Sequence, residues 1–279
     1  MNRFSTALLL AFAIVACQEK QTQMQNPSEI PIDSTFLASY DNLPQNESGD
    51  IVREAIAGAG GWEAWTRNQS LSYNKTITFY DTLGNETRTL TQLHEYNLFP
   101  SFKARITWSE NGNNYKIINN GQQAWKFEND IQMTDEQNVN SAYNSSYGSH
   151  YVMSMPFKLA DPGCQLEYEG MDTIPDGTTA HRIKVTYAEG AGSSWNYHTW
   201  WYFFDPDTKQ LLGNQFYGGG YSFTQYENFL DVDDLTFNEV RHSHQSDSLL
   251  NLKYISSSYR NTDVKLGPLF SDEYFEPAK

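Results

Sequence analysis

From about residue 70 the chain alternates apolar and polar side chains with a period of two, the spacing of strands that turn one face to a core. Leu71, Tyr73, Ile77 and Phe79 are set against Ser72, Asn74, Thr76 and Thr78, and Asp81-Thr82-Leu83-Gly84-Asn85 predicts a turn into a second strand ending near Tyr96. Phe102, Ala104, Ile106 and Trp108 then alternate with Lys103, Arg105 and Thr107, and a turn at 111–114 leads into a strand over 115–119. Asn120-Gly121 predicts a tight type I′ connection to a strand over 123–128 that carries Trp125 and Phe127. Further strands are expected near 166–171, 181–187, 197–204, 211–217, 221–230, 235–243 and 249–258. Some 11–12 strands at meander spacing predict a mainly β fold: one large curved antiparallel sheet, or a half-open barrel, with a few helices plugging or capping it.

Two segments break the alternation. Ser48 fits an N-cap for a helix with the stripe Ile51, Val52, Ala55 and Ile56, ended by Gly58, Gly60 and Gly61 before Trp62 and Trp65. Thr134 with Gln137 fits a capping box, after which Val139, Tyr143, Tyr147, Tyr151 and Met155 recur every four residues until Pro156. Gly148 and several Ser and Asn residues weaken this second helix.

Trp200, Tyr202 and Phe204 share one face of their strand while Trp201 and Phe203 share the other. Apolar residues on both faces require both to be covered, and two short helices are too few for a sheet of this size. The expectation is a concave face lined by aromatics, partly roofed by the 135–160 segment and open to an apolar ligand. The alternative is a simple filled core. Candidate ligand contacts are Trp125, Phe127, Tyr147, Tyr151, Met155, Phe157, Trp200, Tyr202 and Phe204.

The N-terminal pattern bears on location. A single Arg3 precedes an apolar run of 10 residues, 7–16, too short to span a bilayer and ending in Ile14-Val15-Ala16-Cys17. It reads as a lipoprotein signal peptide over 1–16, with Cys17 as the acylated first residue of the mature chain. Residues 17–46 then form a lipidated, polar tether with a reach of about 30 Å, and 47–279 a single β domain. With Arg3 removed, 34 acidic residues stand against 18 basic ones. That field repels phosphate backbones and excludes nucleic acid as a partner, leaving attachment to the membrane to the acyl anchor. Gln18, where an Asp would retain a lipoprotein at the inner membrane, favours outer-membrane delivery. With Cys17 acylated, Cys164 has no disulfide partner and reads as a structural thiol.

Motifs for catalysis are weak. His242 and His244, two apart on a strand, point the same way as a pair of metal ligands would, without a third ligand at recognisable spacing. Asp231-Val232-Asp233-Asp234 lacks the glycine and terminal glutamate of an EF-hand loop. Ala57-Gly58-Ala59-Gly60-Gly61 lacks the Lys-Ser/Thr of a phosphate loop, and Gly190-Ala191-Gly192-Ser193-Ser194 is not a nucleophile elbow. No metal, cofactor or catalytic residue is assigned. Aromatic residues make up 15% of the chain, and rings on a curved sheet stack on sugars as well as on acyl chains.

Gly60-Gly61-Trp62 with Trp65, the stretch Asn120-Gly121-Gln122-Gln123-Ala124-Trp125, Met155-Pro156-Phe157-Lys158-Leu159 with Asp161-Pro162-Gly163, and Tyr202-Phe203-Phe204-Asp205-Pro206 occur in that order. Together they resemble an uncharacterised family of Bacteroidota lipoproteins, similar in layout to the LolA and LolB lipoprotein carriers. The resemblance implies an unclosed barrel of about eleven strands, with helices plugging a hydrophobic cavity that holds acyl chains. The expected function is therefore a non-enzymatic, outer-membrane-anchored lipoprotein of the cell envelope, facing the periplasm or the cell surface, that binds a lipid or another apolar small molecule. A glycan-binding surface lipoprotein is the alternative, and a metal-dependent hydrolase is a third.

Overall fold

A computed structural model of the protein describes residues 39–188 and 198–277. The expected signal peptide, Cys17, most of the tether, and residues 190–194 lie outside the described residues. The strands are β1 (Ser70–Tyr80), β2 (Glu86–Asn97), β3 (Lys103–Glu110), β4 (Asn113–Asn119), β5 (Ala124–Glu128), β6 (Ile131–Met133), β7 (Cys164–Thr173), β8 (Thr179–Tyr187), β9 (Thr199–Phe204), β10 (Leu211–Tyr217), β11 (Tyr221–Val232), β12 (Leu235–Ser246) and β13 (Leu252–Gly267). All thirteen form one antiparallel sheet in the order β6-β5-β4-β3-β2-β1-β13-β12-β11-β10-β9-β8-β7.

Two meanders meet at its middle, where β1 pairs with β13 through contacts such as Ile77 opposite Tyr259. β6 and β7 form the two free edges, so the sheet is curved but not closed. Register shifts in the β1–β13, β11–β12 and β12–β13 pairs bend it where the curvature is needed.

Helix α1 (Glu47–Gly58), helix α2 (Trp62–Arg67), helix α3 (Glu136–Met153) and a 3₁₀ turn at Phe157–Ala160 lie on the concave side. α1 buries Ile51, Val52, Ala55 and Ile56, the stripe expected from its spacing. These meet Leu71, Tyr96, Ile183, Tyr202, Phe204 and Phe237 from the sheet, and Trp65 of α2 stacks on Phe157 at 4.7 Å between ring centroids. One end of the half-barrel is thereby a filled core. Gly60 closes its corner: with φ of +110°, it lies so near the Asp234 carbonyl that a Cβ would come within 1.9 Å of that oxygen.

The convex face is covered without α-helices. Phe203 and Phe223 pack under Ile174, Ala180 and Leu250 from hairpin ends. At the other end Ile118, Trp125 and Phe127 are covered by Phe270, Tyr274 and Phe275 of the C-terminal segment. That segment is pinned by reciprocal hydrogen bonds between Asn97 and Phe270, and by Arg105, which donates to the Tyr274 carbonyl at 3.0 Å and lies over its ring.

Several local expectations are corrected. Asn46, not Ser48, caps α1, accepting from the Gly49 N–H at 3.2 Å. Asp135, not Thr134, caps α3, which runs unbroken for 18 residues. Asn120 does not adopt a positive φ; its side chain accepts from the Gln122 and Gln123 N–H groups, and Gly121 alone takes the left-handed conformation, so the β4–β5 connection is longer than a type I′ turn. The short edge strand β6 and the helix α2 bring the strand count above 11–12 and add a third helix. Folded chain also begins ahead of residue 47: Asn42 donates to the Ala160 carbonyl at 2.9 Å and Leu43 is buried in the core.

Within the filled end, Lys158 and Asp161 form a 2.6 Å ion pair with both side chains almost wholly buried. Removing one charge strands the other in an apolar setting, so Asp161→Asn is expected to cost about 3–5 kcal/mol in chemical denaturation, whereas a surface pair such as Arg67–Asp234 should cost less than about 1 kcal/mol.

Candidate functional site: a cation-lined cavity beneath helix α3

Beyond the filled end the concave side stays hollow. A cavity of about 650 Å³, open to solvent, lies between α3 and the sheet. Its size falls within the roughly 300–1,000 Å³ usual for small-molecule sites.

The roof follows from the sequence of α3. Ser141, Asn144, Ser145, Gly148, Ser149 and Val152 line the cavity, and their spacing of three and four places them on one stripe of the helix. The bulkier Tyr147, His150, Tyr151 and Met153 turn away and are buried against the core. Small side chains on one stripe let the helix span the hollow without filling it. Its C-terminal end is tied down by Asn238, which donates to the Val152 carbonyl, and by Asn261, whose amide donates to the Met153 sulfur.

The floor is mixed. Ile77, Phe79, Leu90, Ile117, Trp200 and Phe216 supply apolar surface, and Lys75, Arg88, Lys126 and Arg241 supply four cations, while no Asp or Glu lines the cavity. Two of the cations are engaged by protein groups. Arg88 forms a two-point pair with Glu110 at 2.5 Å, and Lys126 donates to Asn138 at 2.8 Å. The other two are buried deeper. Lys75 and Arg241 are 9% and 7% exposed, and neither is paired with a carboxylate among the described residues. Lys75 donates to the Ser149 hydroxyl at 3.2 Å. Both cations lie over the Tyr259 ring, Lys75 Nζ at 5.2 Å and the Arg241 guanidinium at 4.7 Å from its centroid. Arg241 also lies over Tyr226 and shares a hydrogen bond with its side chain, while its buried Nε has no hydrogen-bond partner among the described residues. Burial, reinforced by the charge of Arg241, brings the Lys75 ammonium down from 10.5 to about 7.

A buried aromatic and histidine cluster borders this site. The His94 ring stacks on Tyr73 at 4.9 Å, and its Nδ1 lies 2.7 Å from the Tyr96 hydroxyl. Burial, then Lys75, holds His94 well below its ordinary value; burial, then Lys158, does the same for His150. Both rings are neutral structural groups.

Of the nine aromatic and methionine candidates only Trp200 lines the large cavity. Tyr147, Tyr151, Phe157, Tyr202 and Phe204 are built into the filled core, where the Tyr151 and Tyr187 hydroxyls meet. Met155 borders a smaller hollow of about 190 Å³ beside Ala55 and Gly58. Trp125 and Phe127 are on the convex face beneath the C-terminal segment. Cys164 packs against the core, and burial raises its thiol above the ordinary value. His242 is engaged on both nitrogens, by Ser258 at 2.7 Å and Glu227 at 2.8 Å. No group of three or more His, Cys, Asp or Glu side chains comes together as a metal site among the described residues.

Lys75 and Arg241 were not singled out by the sequence reading, although a signal existed. Lys75 occupies the core-facing parity of Leu71, Tyr73, Ile77 and Phe79, where an ammonium is out of place unless it serves a site.

Because the folded state depresses the Lys75 pKa, the unfolded chain binds the extra proton between about pH 7 and 10.5. The stability deficit is absent above pH 10.5, grows as pH falls to about 7 and is constant below. Lys75→Met is therefore expected to stabilise the ligand-free protein by a few kcal/mol, on the order of 1.4 per pH unit of depression. That gain should be full at pH 7 and fade towards pH 10.5 in urea melts.

Comparison with solved structures places this architecture. The chain is similar to a DUF1329 family protein from Desulfovibrio piger, with a TM-score of 0.54 at 10% identity over 83% of this chain and 98% of that one. It is also similar to a LolA superfamily protein from Nitrosomonas europaea, with a TM-score of 0.51 at 13% identity over 82% and 97%. At such identities the likeness is one of fold. No curated protein matches the sequence. A family model does match residues 103–266, from β3 through most of β13. With that match over more than half its length, the chain belongs to the family of unknown function DUF6503.

Proposed function

We propose that the protein is a non-enzymatic binding lipoprotein of the cell envelope, held at the outer membrane by an acylated Cys17, that carries a lipid or other largely apolar molecule in the cavity beneath α3. The observation that carries this reading is the hollow itself. The helices fill only one end of the half-barrel, and at the other a helix with a small-residue stripe keeps the concave side open. A ligand burying about 300 Å² of apolar surface there would gain up to roughly 7 kcal/mol before the costs of association. The LolA-like fold supports the reading, and the N-terminal sequence supports the anchor. Trp200, at the junction of core and cavity, is the proposed contact among the residues nominated from sequence, joined by Ile77, Leu90 and Phe216.

The glycan alternative needs coplanar rings on an open surface. The exposed Tyr217 and its neighbour Tyr221 are 4.7 Å apart but inclined at 37°, and form no such platform.

Ser145→Trp tests the site directly. Its side chain would project from the roof into the hollow, so a fluorescent fatty-acid probe that binds the wild-type mature domain should bind this variant at least about tenfold more weakly, with the melting temperature little changed. Saturable binding of equal affinity in wild type and variant would remove the cavity from the account, and no binding in either would remove the function.

A further inference from the structure

We infer that the ligand is an anionic amphiphile whose carboxylate or phosphate head is seated between Lys75 and Arg241. The inference rests on the ligand-binding reading above and narrows the ligand's class. The protein as a whole carries a formal charge of −15, yet the cavity wall has four basic residues and no acidic one. With Arg88 compensated by Glu110, Lys75, Lys126 and Arg241 remain, an interior charge opposite in sign to the surface that selects for a negative group inside.

The two deepest cations narrow the position. Lys75 and Arg241 both lie over one ring, Tyr259, lie close enough to repel each other, and are more than nine-tenths buried. Two adjacent buried cations repel each other and are costly to desolvate unless an anion lies near both. Arg241 shares a hydrogen bond with the Tyr226 side chain, yet that one bond and the ring faces do not satisfy the guanidinium's five N–H donors, and its Nε is left unmet. A carboxylate or phosphate can accept two parallel bonds from such a fork and a third from the ammonium. The Ser149 hydroxyl, already within 3.2 Å of Lys75, adds a polar roof to the seat. Ile77, Leu90, Trp200 and Phe216 line the remaining wall and would take the acyl chain.

The test compares palmitate, hexadecyl phosphate, hexadecanol and inorganic phosphate by calorimetric titration of the purified mature domain. For wild type, both anionic amphiphiles should bind at least about tenfold more tightly than the alcohol, the gain expected from charge-assisted hydrogen bonds. In the Lys75→Met, Arg241→Gln double variant the acid-to-alcohol ratio should fall to near one, with thermal melts of the double and both single variants confirming a folded protein. Equal affinity for acid and alcohol in wild type overturns the inference while leaving the apolar-ligand reading intact, and so does a preference that survives the double variant. Absence of binding by all three long-chain probes overturns both. Inorganic phosphate binding as tightly as hexadecyl phosphate would mark a site for free anions and overturn the amphiphile.

Discussion

The structure depends on one constraint: thirteen antiparallel strands with apolar side chains on both faces must be covered with only three α-helices among the described residues. The convex face is covered cheaply in helix, by hairpin ends over Phe203 and Phe223 and by the C-terminal segment over Trp125 and Phe127. That leaves α1, α2, α3 and the turn at Phe157–Ala160 for the concave side, and they do not fill it. α1 and α2 plug one end with Ile51, Ile56 and Trp65, while α3 bridges the other. The cavity is thus a consequence of how coverage is shared, and the small residues on one stripe of α3 keep it from collapsing.

Burying Lys75 and Arg241 at the edge of a core of tyrosines and neutral histidines lowers the stability of the empty protein. Nothing about forming the sheet requires them: Tyr73, two positions before Lys75 on the same face, packs as an ordinary core residue. Local choices that oppose folding without an evident structural gain concentrate at sites of function. The Lys158–Asp161 pair illustrates the contrast, since there a buried lysine has its carboxylate at 2.6 Å and serves the fold.

Strand parity, turn chemistry and the two-sided aromatic pattern of 200–204 made most of the sheet legible in the sequence. What escaped was short or depended on distant partners. β6, three residues long, has no period to detect, and the capping positions slipped because Asn46 and Asp135 compete with Ser48 and Thr134 as neighbouring side-chain acceptors. The site was legible only in outline. A hollow was expected from counting helices against strands, but which aromatics line it depends on which end is plugged, and that follows from tertiary packing of Trp65 on Phe157. Of the bulky rings expected as ligand contacts, Trp200 lines the hollow while Tyr147, Tyr151, Phe157, Tyr202 and Phe204 fill the core, and the roof of the open region is marked by Ser and Gly and its depth by two cations. A lysine at a core parity and a helix stripe without bulk were the informative signals.

Native mass spectrometry of the mature protein, released gently from cell envelopes without denaturation, tests the central claim most directly. The account predicts a chain carrying one additional mass that collisional activation releases as an acyl lipid with an acidic headgroup, and that is absent from protein refolded after organic extraction. A chain that flies at its bare mass from the envelope and gains none when incubated with such lipids would contradict it.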